Sequence, residues 1–200
     1  MILALDSSTE NGAAVLVDGG RVVREVDFAG GRARAGGGAA GALREFSDQP
    51  VGCVIVGTGP GSYNGIRSSV AAAWGFALGR GIPLHAASSL LALAPGEYLA
   101  IGDARQDRFY FAHVRDQDFV VEPMLVTRGV LLQKLDTHPD LPALTPTGGA
   151  RVPSGARPAF PNPVLLAGLA GGEPVPAGEI PRPIYLKPPH ITPPRPARQV

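Results

Sequence analysis

Val54-Ile55-Val56-Gly57-Thr58-Gly59-Pro60-Gly61-Ser62-Tyr63-Asn64-Gly65-Ile66-Arg67 decides how this chain is read. Three β-branched residues in a row predict a buried strand. Gly57, Gly59 and Gly61 then permit a tight turn or a close backbone approach, and Pro60 stiffens it. Beyond the turn, Ile66, Val70, Ala73/Trp74 and Ala77/Leu78 recur at helical spacing. Ser62 or Asn64 can cap that helix, and Gly79 to Gly81 with Pro83 end it. A helix N-terminus behind a glycine loop offers free N–H groups to a phosphate. The spacing fits neither standard phosphate motif, however. No Lys-Ser/Thr follows Gly65, and Ser62 stands where the dinucleotide fingerprint needs glycine. The plainer reading is a structural turn that lets helix and strand pack closely.

Two hundred residues allow one large domain or two small ones, and a hydrophobic content of 44% suffices for a packed core. A net charge of +1 gives no strong field for nucleic acid. Sixteen of the 21 prolines follow His138, so the last third is expected to be loop-rich. The single cysteine excludes an internal disulfide, and Cys53, between Gly52 and Val54, reads as a small buried hydrophobe. Met1-Ile2-Leu3-Ala4-Leu5-Asp6 lacks a basic n-region, and no apolar run approaches about 18 residues. A soluble, cytoplasmic protein without a membrane segment is the expectation.

Strands are expected over Ile2 to Leu5, Ala13 to Val17 and Val22 to Phe28, the last two joined by the hairpin signal Asp18-Gly19-Gly20. Ala39 to Phe46 predicts a short helix. The strand Val51 to Val56, the glycine loop and the long helix follow. Pro83 to Ala86 then reads as a strand, and Ser88 to Leu93 as a helix capped by Ser88 or Ser89. After the break at Pro95-Gly96 the pattern restarts with strands over Tyr98 to Ile101, Arg108 to Val114 and Phe119 to Val126, the last an edge strand by virtue of Pro123. Thr127 caps a helix from Arg128 to Leu135. A meander followed by a helix thus occurs twice, the outline of two similar α/β halves over 1–94 and 95–186. Later, Pro163 to Ala170 predicts one short helix, and Ile184-Tyr185-Leu186 a last short strand or turn. Residues 187–200 read as an extended, Pro-rich, basic tail.

Asp6 at the end of the first strand can contact Mg²⁺ or phosphate, or can satisfy its own turn. Asp103 is its counterpart in the second meander. Were a nucleotide held, Asp6, Ser7, Gly59, Gly61 and Asp103 are the groups in position for it. His85, His113, His138 and His190 show no i,i+3 or i,i+4 pair, so no metal site is expected. Ser62 sits in no G-x-S-x-G elbow, so no catalytic residue is assigned. The small residues Ala71, Ala72, Ala73, Gly75 and Ala77 surround the long helix, leaving a smooth second face for a partner.

These residues resemble the TsaB (YeaZ) family. Ile2-Leu3-Ala4-Leu5-Asp6-Ser7-Ser8-Thr9-Glu10 is similar to its opening strand and turn. Val56 to Arg67 is similar to its most distinctive stretch. Asp103-Ala104-Arg105 with Phe109-Tyr110-Phe111-Ala112 is similar to its second-half turn and strand, and Ile184-Tyr185-Leu186-Lys187-Pro188-Pro189 to its C-terminal signature. The resemblance implies an α/β fold of the actin-like, sugar-kinase-like (ASKHA) type: two tandem RNase H-like halves with mixed sheets. It also implies a cytoplasmic role in making N6-threonylcarbamoyladenosine at position 37 of tRNAs reading ANN codons. There the paralogue TsaD is catalytic, TsaB pairs with it as a heterodimer, a TsaE-type ATPase completes the assembly, and TsaC makes the donor. Catalytic relatives carry two metal-binding histidines four residues apart. Sliding that pattern onto Pro83 to Leu93 places Ser89 and Leu93 there, so the chain resembles the non-catalytic partner and is expected to need no cofactor.

The partner interface implied by this resemblance uses Ala39, Leu43, Phe46, Ile66, Val70, Ala73, Trp74 and Ala77, with tRNA met indirectly. The family's longer helix before the glycine loop, often opened by His-Ser-Glu, is missing, and Gly31 to Ala42 is rich in Gly and Arg instead. Asn64 stands where Thr is common, and the C-terminal half is short and Pro-rich. Two alternatives compete with the scaffold reading: an ATP-dependent enzyme using Asp6 and Asp103 across a cleft, and a chain that only self-associates as a homodimer.

Overall fold

The computed structural model describes residues 1–29, 38–146 and 151–186. The chain opens with strands β1 (Ile2–Asp6), β2 (Asn11–Asp18) and β3 (Arg21–Ala29), an antiparallel meander. Helix α1 (Gly38–Arg44) leads to β4 (Cys53–Gly57), which pairs parallel to β1. Helix α2 (Tyr63–Arg80) then leads to β5 (Leu84–Ala87), parallel to β4. The first sheet therefore has the order β3-β2-β1-β4-β5.

The second half repeats this plan. Strands β6 (Glu97–Asp103), β7 (Arg108–Arg115) and β8 (Asp118–Thr127) form the meander. Helix α3 (Arg128–Asp136) crosses to β9 (Ala143–Thr145), parallel to β6, and β10 (Arg157–Pro158) lies parallel to β9. The order β10-β9-β6-β7-β8 matches that of the first sheet element by element. Two such mixed sheets in tandem make the α/β actin-like fold. Sequence reading finds both meanders but misses β9 and β10, which are too short to show a period-2 pattern.

Local chemistry explains the ends of the long helix. Ser62 Oγ accepts the Gly65 N–H at 3.2 Å, the N-cap that the sequence predicts. At the other end Gly81 takes φ 63°, a left-handed cap open to glycine at no steric cost. Thr127 caps α3, and Asn162 caps α4 (Pro163–Gly168), with Pro163 at its first position. Ser88 caps a single 3₁₀ turn over Ser89–Ala92 in place of the expected helix. A second 3₁₀ turn, Leu169–Gly171, ends α4. The segment Ile184–Leu186 is not a strand.

One face of the first sheet packs Leu3, Leu5, Val54 and Val56 against α1 and α2. Its opposite face packs Ala4, Val15 and Ile55 against Leu166 and Ala167 of α4. Residues late in the chain thus return to cover the first sheet, so the division at 94 separates the two sheets but not the two packed bodies. Gln117, at the left-handed β7–β8 turn, fixes this return by donating from Nε2 to the Leu165 carbonyl at 2.8 Å. No helix among the described residues is long and apolar enough to cross a membrane. The proposed tail 187–200 lies outside the described residues.

Leu166 is fully buried in that junction. Leu166→Ala is expected to lower stability by roughly 2–5 kcal/mol, read as a fall in Tm in thermal unfolding. An unchanged Tm would mean that α4 does not seal the first sheet.

Candidate functional site

The ends of β1 and β4 and the loops that leave them form a buried knot of polar groups. Asp6, Ser7, Ser8, Thr58, Ser88 and Ser89 are all buried there. Buried polar groups must find partners, and these find one another. The Asp6 carboxylate is the hub. Its Oδ1 accepts the Ser8 N–H at 2.8 Å and the Ser8 hydroxyl at 2.7 Å. Its Oδ2 accepts the Ser89 hydroxyl at 2.5 Å. Ser89 Oγ in turn accepts the Gly59 N–H at 2.9 Å, so a relay runs from the glycine loop through Ser89 to Asp6.

The glycine loop is held on every side. The Gly59 carbonyl accepts the Ser89 N–H at 2.9 Å and the Ser88 hydroxyl at 2.7 Å. Thr58 donates its N–H to the Ala87 carbonyl at 2.8 Å, and Ser62 donates its N–H to the Ser8 carbonyl at 2.6 Å. Ser7 Oγ donates to the Gly65 carbonyl at 2.7 Å. Three glycines are required by close approach. A Cβ at Gly57 would overlap Asp6 Oδ2 and crowd Ser89 Oγ, one at Gly61 would overlap the Ser8 carbonyl, and one at Gly65 the Ser7 carbonyl. The loop's N–H groups at Thr58, Gly59, Ser62 and Gly65 are thus engaged by oxygens of this chain.

Burial lifts the Asp6 pKa above its ordinary value, because the low-dielectric interior disfavours the charged form. The hydrogen bonds from Ser89 and Ser8 oppose that rise.

The structure places Asp6, Ser7, Gly59 and Gly61 around this knot. Asp103 ends β6 in the second sheet and accepts the Arg105 N–H at 2.7 Å, the same turn contact that Asp6 makes with the Ser8 N–H at 2.8 Å. Arg105, Gln106 and Asp107 follow with φ 62°, 54° and 56°, three left-handed residues without a glycine to announce them. Among the described residues no group of three or more His, Cys, Asp or Glu side chains is placed to hold a metal. Leu93 lies in the core with Leu90 and Tyr98. Two histidines do meet, despite their spacing: the His113 and His138 rings lie 5.1 Å apart, and His113 Nε2 is 2.7 Å from Glu97 Oε1. Arg115, and then His113, hold the Glu97 carboxyl down at about 2. Cys53 is half-buried and burial pushes its thiol up, the opposite of an activated nucleophile. His190 lies outside the described residues.

The expected partner surface needs correction. Ala39, Leu43, Phe46, Ile66, Val70, Ala73 and Ala77 are buried in this chain's own core, and only Trp74 is partly exposed. The helical repeat marks the face that meets the sheet, not a second one. What α2 shows to solvent is Tyr63, Asn64, Arg67, Ser68, Ala71, Gly75 and Leu78 to Arg80, with Leu78 60% exposed. Ala40 is the exposed small residue of α1.

Residues 42–124 match the family model described as TsaD, tRNA N6-adenosine threonylcarbamoyltransferase. A stretch of 68 residues is 44% identical to "Uncharacterized protein ML0378" of Mycobacterium leprae and covers 32% of this chain and 18% of that one. Another of 73 residues is 36% identical to "Uncharacterized protein Rv3421c" of Mycobacterium tuberculosis and covers 35% of each. The matched part therefore spans about a third or less of these relatives' length. Over the whole fold, YeaZ from Pseudomonas aeruginosa superposes with a TM-score of 0.72 at 23% identity, covering 92% of this chain and 99% of that one. A second Pseudomonas aeruginosa structure, described as similar to peptidase YEAZ, gives 0.70 at 22% identity over 93% and 99%. The chain therefore shares the YeaZ fold over about nine-tenths of its length.

Two expectations follow from the knot. Gly57→Ala is expected to destabilise by about 1–3 kcal/mol, seen in urea unfolding, while Gly75→Ala, with open space around it, is not. Asp6, with its folded pKa raised above 3.8, stabilises the fold most below that pH and loses this contribution as pH climbs through the folded value. The stability of Asp6→Asn relative to the parent is therefore expected to improve from about pH 4 towards neutrality. A difference that stays flat with pH would show that Asp6 titrates as an ordinary surface acid.

Proposed function

We propose that this chain is the non-catalytic partner subunit of a TsaD-containing complex that forms N6-threonylcarbamoyladenosine at position 37 of tRNAs reading ANN codons. The observation that carries this reading is the state of Ser89 and Leu93. By the family resemblance, these are the positions onto which the catalytic relatives' two metal-binding histidines fall. Ser89 is fully buried and hydrogen-bonded to Asp6 and Gly59, and Leu93 is packed in the core. Neither can present a ligand to a metal. The TsaD-family match over 42–124 and the YeaZ fold support the same pathway.

In this reading the chain acts in the cytoplasm as a scaffold or activator. It docks on its TsaD paralogue, a TsaE-type ATPase joins the pair, and tRNA is met through the assembly. The docking face is the exposed side of α2, from Ser68 through Ala71 and Gly75 to Leu78, with Ala40 of α1 beside it. Small residues there let a partner helix approach closely, and Leu78 supplies apolar area to bury. The same face serves a homodimer when the partner is absent.

The ATP-dependent alternative loses ground on geometry. The Asp6 carboxylate is enclosed by its own chain's donors. Calorimetry of the isolated chain with Mg-ATP separates the two readings, since tight binding would favour the enzyme.

Ala71→Arg and Leu78→Arg are expected to weaken pairing with the TsaD paralogue by about tenfold or more, roughly 1.4 kcal/mol per decade, with unchanged circular dichroism of the monomer. Ala73→Arg is expected to unfold the chain, because its Cβ lies in the core. A heterodimer of unchanged affinity in both surface variants would move the docking face elsewhere. Normal tRNA modification in a deletion strain would remove the proposed role.

A further inference from the structure

The end of the described chain crosses the mouth of the glycine loop. Val175 donates its N–H to the Leu84 carbonyl at 2.7 Å, on the open edge of β5. Pro181 is buried. Ile184 donates its N–H to the Thr58 carbonyl at 2.9 Å, inside the glycine loop itself. Tyr185 then lays its ring on Tyr63, in the first turn of α2, with centroids 5.1 Å apart and planes 33° apart. The Arg67 guanidinium stands 5.1 Å over the Tyr63 ring and donates to Tyr63 Oη at 2.5 Å, fixing the ring on which Tyr185 rests. Leu186 leans on the second-half cluster of Leu90, Leu93 and Tyr98.

These contacts differ in kind from the knot beneath them. Ser89 and Asp6 are buried, whereas Tyr63 and Tyr185 are 40% and 44% exposed. An exposed aromatic pair and one backbone hydrogen bond open more readily than a buried, fully satisfied polar network. We infer that residues 175–186 are a latch that holds the glycine loop against the end of β1, with Tyr185 on Tyr63 as the catch that opens first. Anything that competes for Tyr63 displaces Tyr185. The Ile184 N–H then leaves Thr58, and the loop loses its outer restraint while the sheets stay folded.

Hydrogen exchange on the full chain tests this. In Tyr185→Ala, exchange at the Ile184, Gly59 and Ser62 amides is expected to rise about two- to tenfold, the range for loss of one aromatic pair. Exchange at Leu3, Ala4 and Leu5 in β1 is expected to stay at the parent rate. Tyr185→Phe, which keeps the ring, is expected to restore the parent rates at all three loop positions. If Ile184 is freed while Gly59 and Ser62 keep their rates, the segment is a passive tether and the inference fails. If the β1 amides accelerate as well, or Tyr185→Ala does not fold, the segment belongs to the core and the inference fails too.

Discussion

A carboxylate taken out of water must be given enough donors, and the fold of this chain is arranged around doing so for Asp6. The cost of burying that group is several kcal/mol unless hydrogen bonds offset it. Ser8 supplies two donors from the loop after β1, and Ser89 supplies one from the turn after β5. Ser89 lies 83 residues from Asp6 in sequence. Satisfying Asp6 therefore fixes β1 against the far side of the first half. Gly57 lies between them because any side chain would occupy the space the carboxylate needs. The loop's glycines serve the carboxylate first. Their resemblance to a phosphate cradle is a consequence of the same tight geometry.

The second constraint is the return of α4 to the first sheet. A five-stranded sheet has two apolar faces, and α1 and α2 cover only one of them. Ala4, Val15 and Ile55 face the other way and would meet water without Leu166 and Ala167. The short C-terminal half thus completes a core that the first half cannot close alone. Its own sheet buries Leu99, Ile101, Phe109 and Phe111 under α3. The strap from Val175 to Leu186 runs the same way, from late sequence to early structure, so the two halves are interdependent rather than beads on a string.

Most of the frame was legible in the residues, and the reasons for the rest are physical. Strong local signals came through. Examples are the apolar run of β2, the Ser62 cap, the Gly81 end of α2 and the Asp18-Gly19-Gly20 hairpin. Periodicity also found the buried stripe Ile66, Val70, Ala73 and Ala77, but its owner was mistaken. A helical repeat reports that one face is buried and does not say whether the chain or a partner covers it. The strands β9 and β10, of three and two residues, fall below the length at which alternation can be read. The knot was half visible. Asp6, Ser7, Gly59 and Gly61 were placed together, but the hydroxyl that completes it, Ser89, belongs to a turn distant in sequence. The left-handed run Arg105–Asp107 had no glycine to mark it.

The knot also bears on the proposed partner role. Catalytic chemistry needs groups held in place yet open to a substrate, with acceptors and donors left unpaired until it arrives. Here the groups at the equivalent mouth are paired with one another. Asp6 is closed by Ser8 and Ser89, the Gly59 N–H by Ser89, and the Ser62 N–H by Ser8. A network of this kind is rigid because opening any member leaves a buried polar group unsatisfied. Rigidity at the base of α2 fixes where that helix points and hence the direction of its exposed Ala71–Leu78 side.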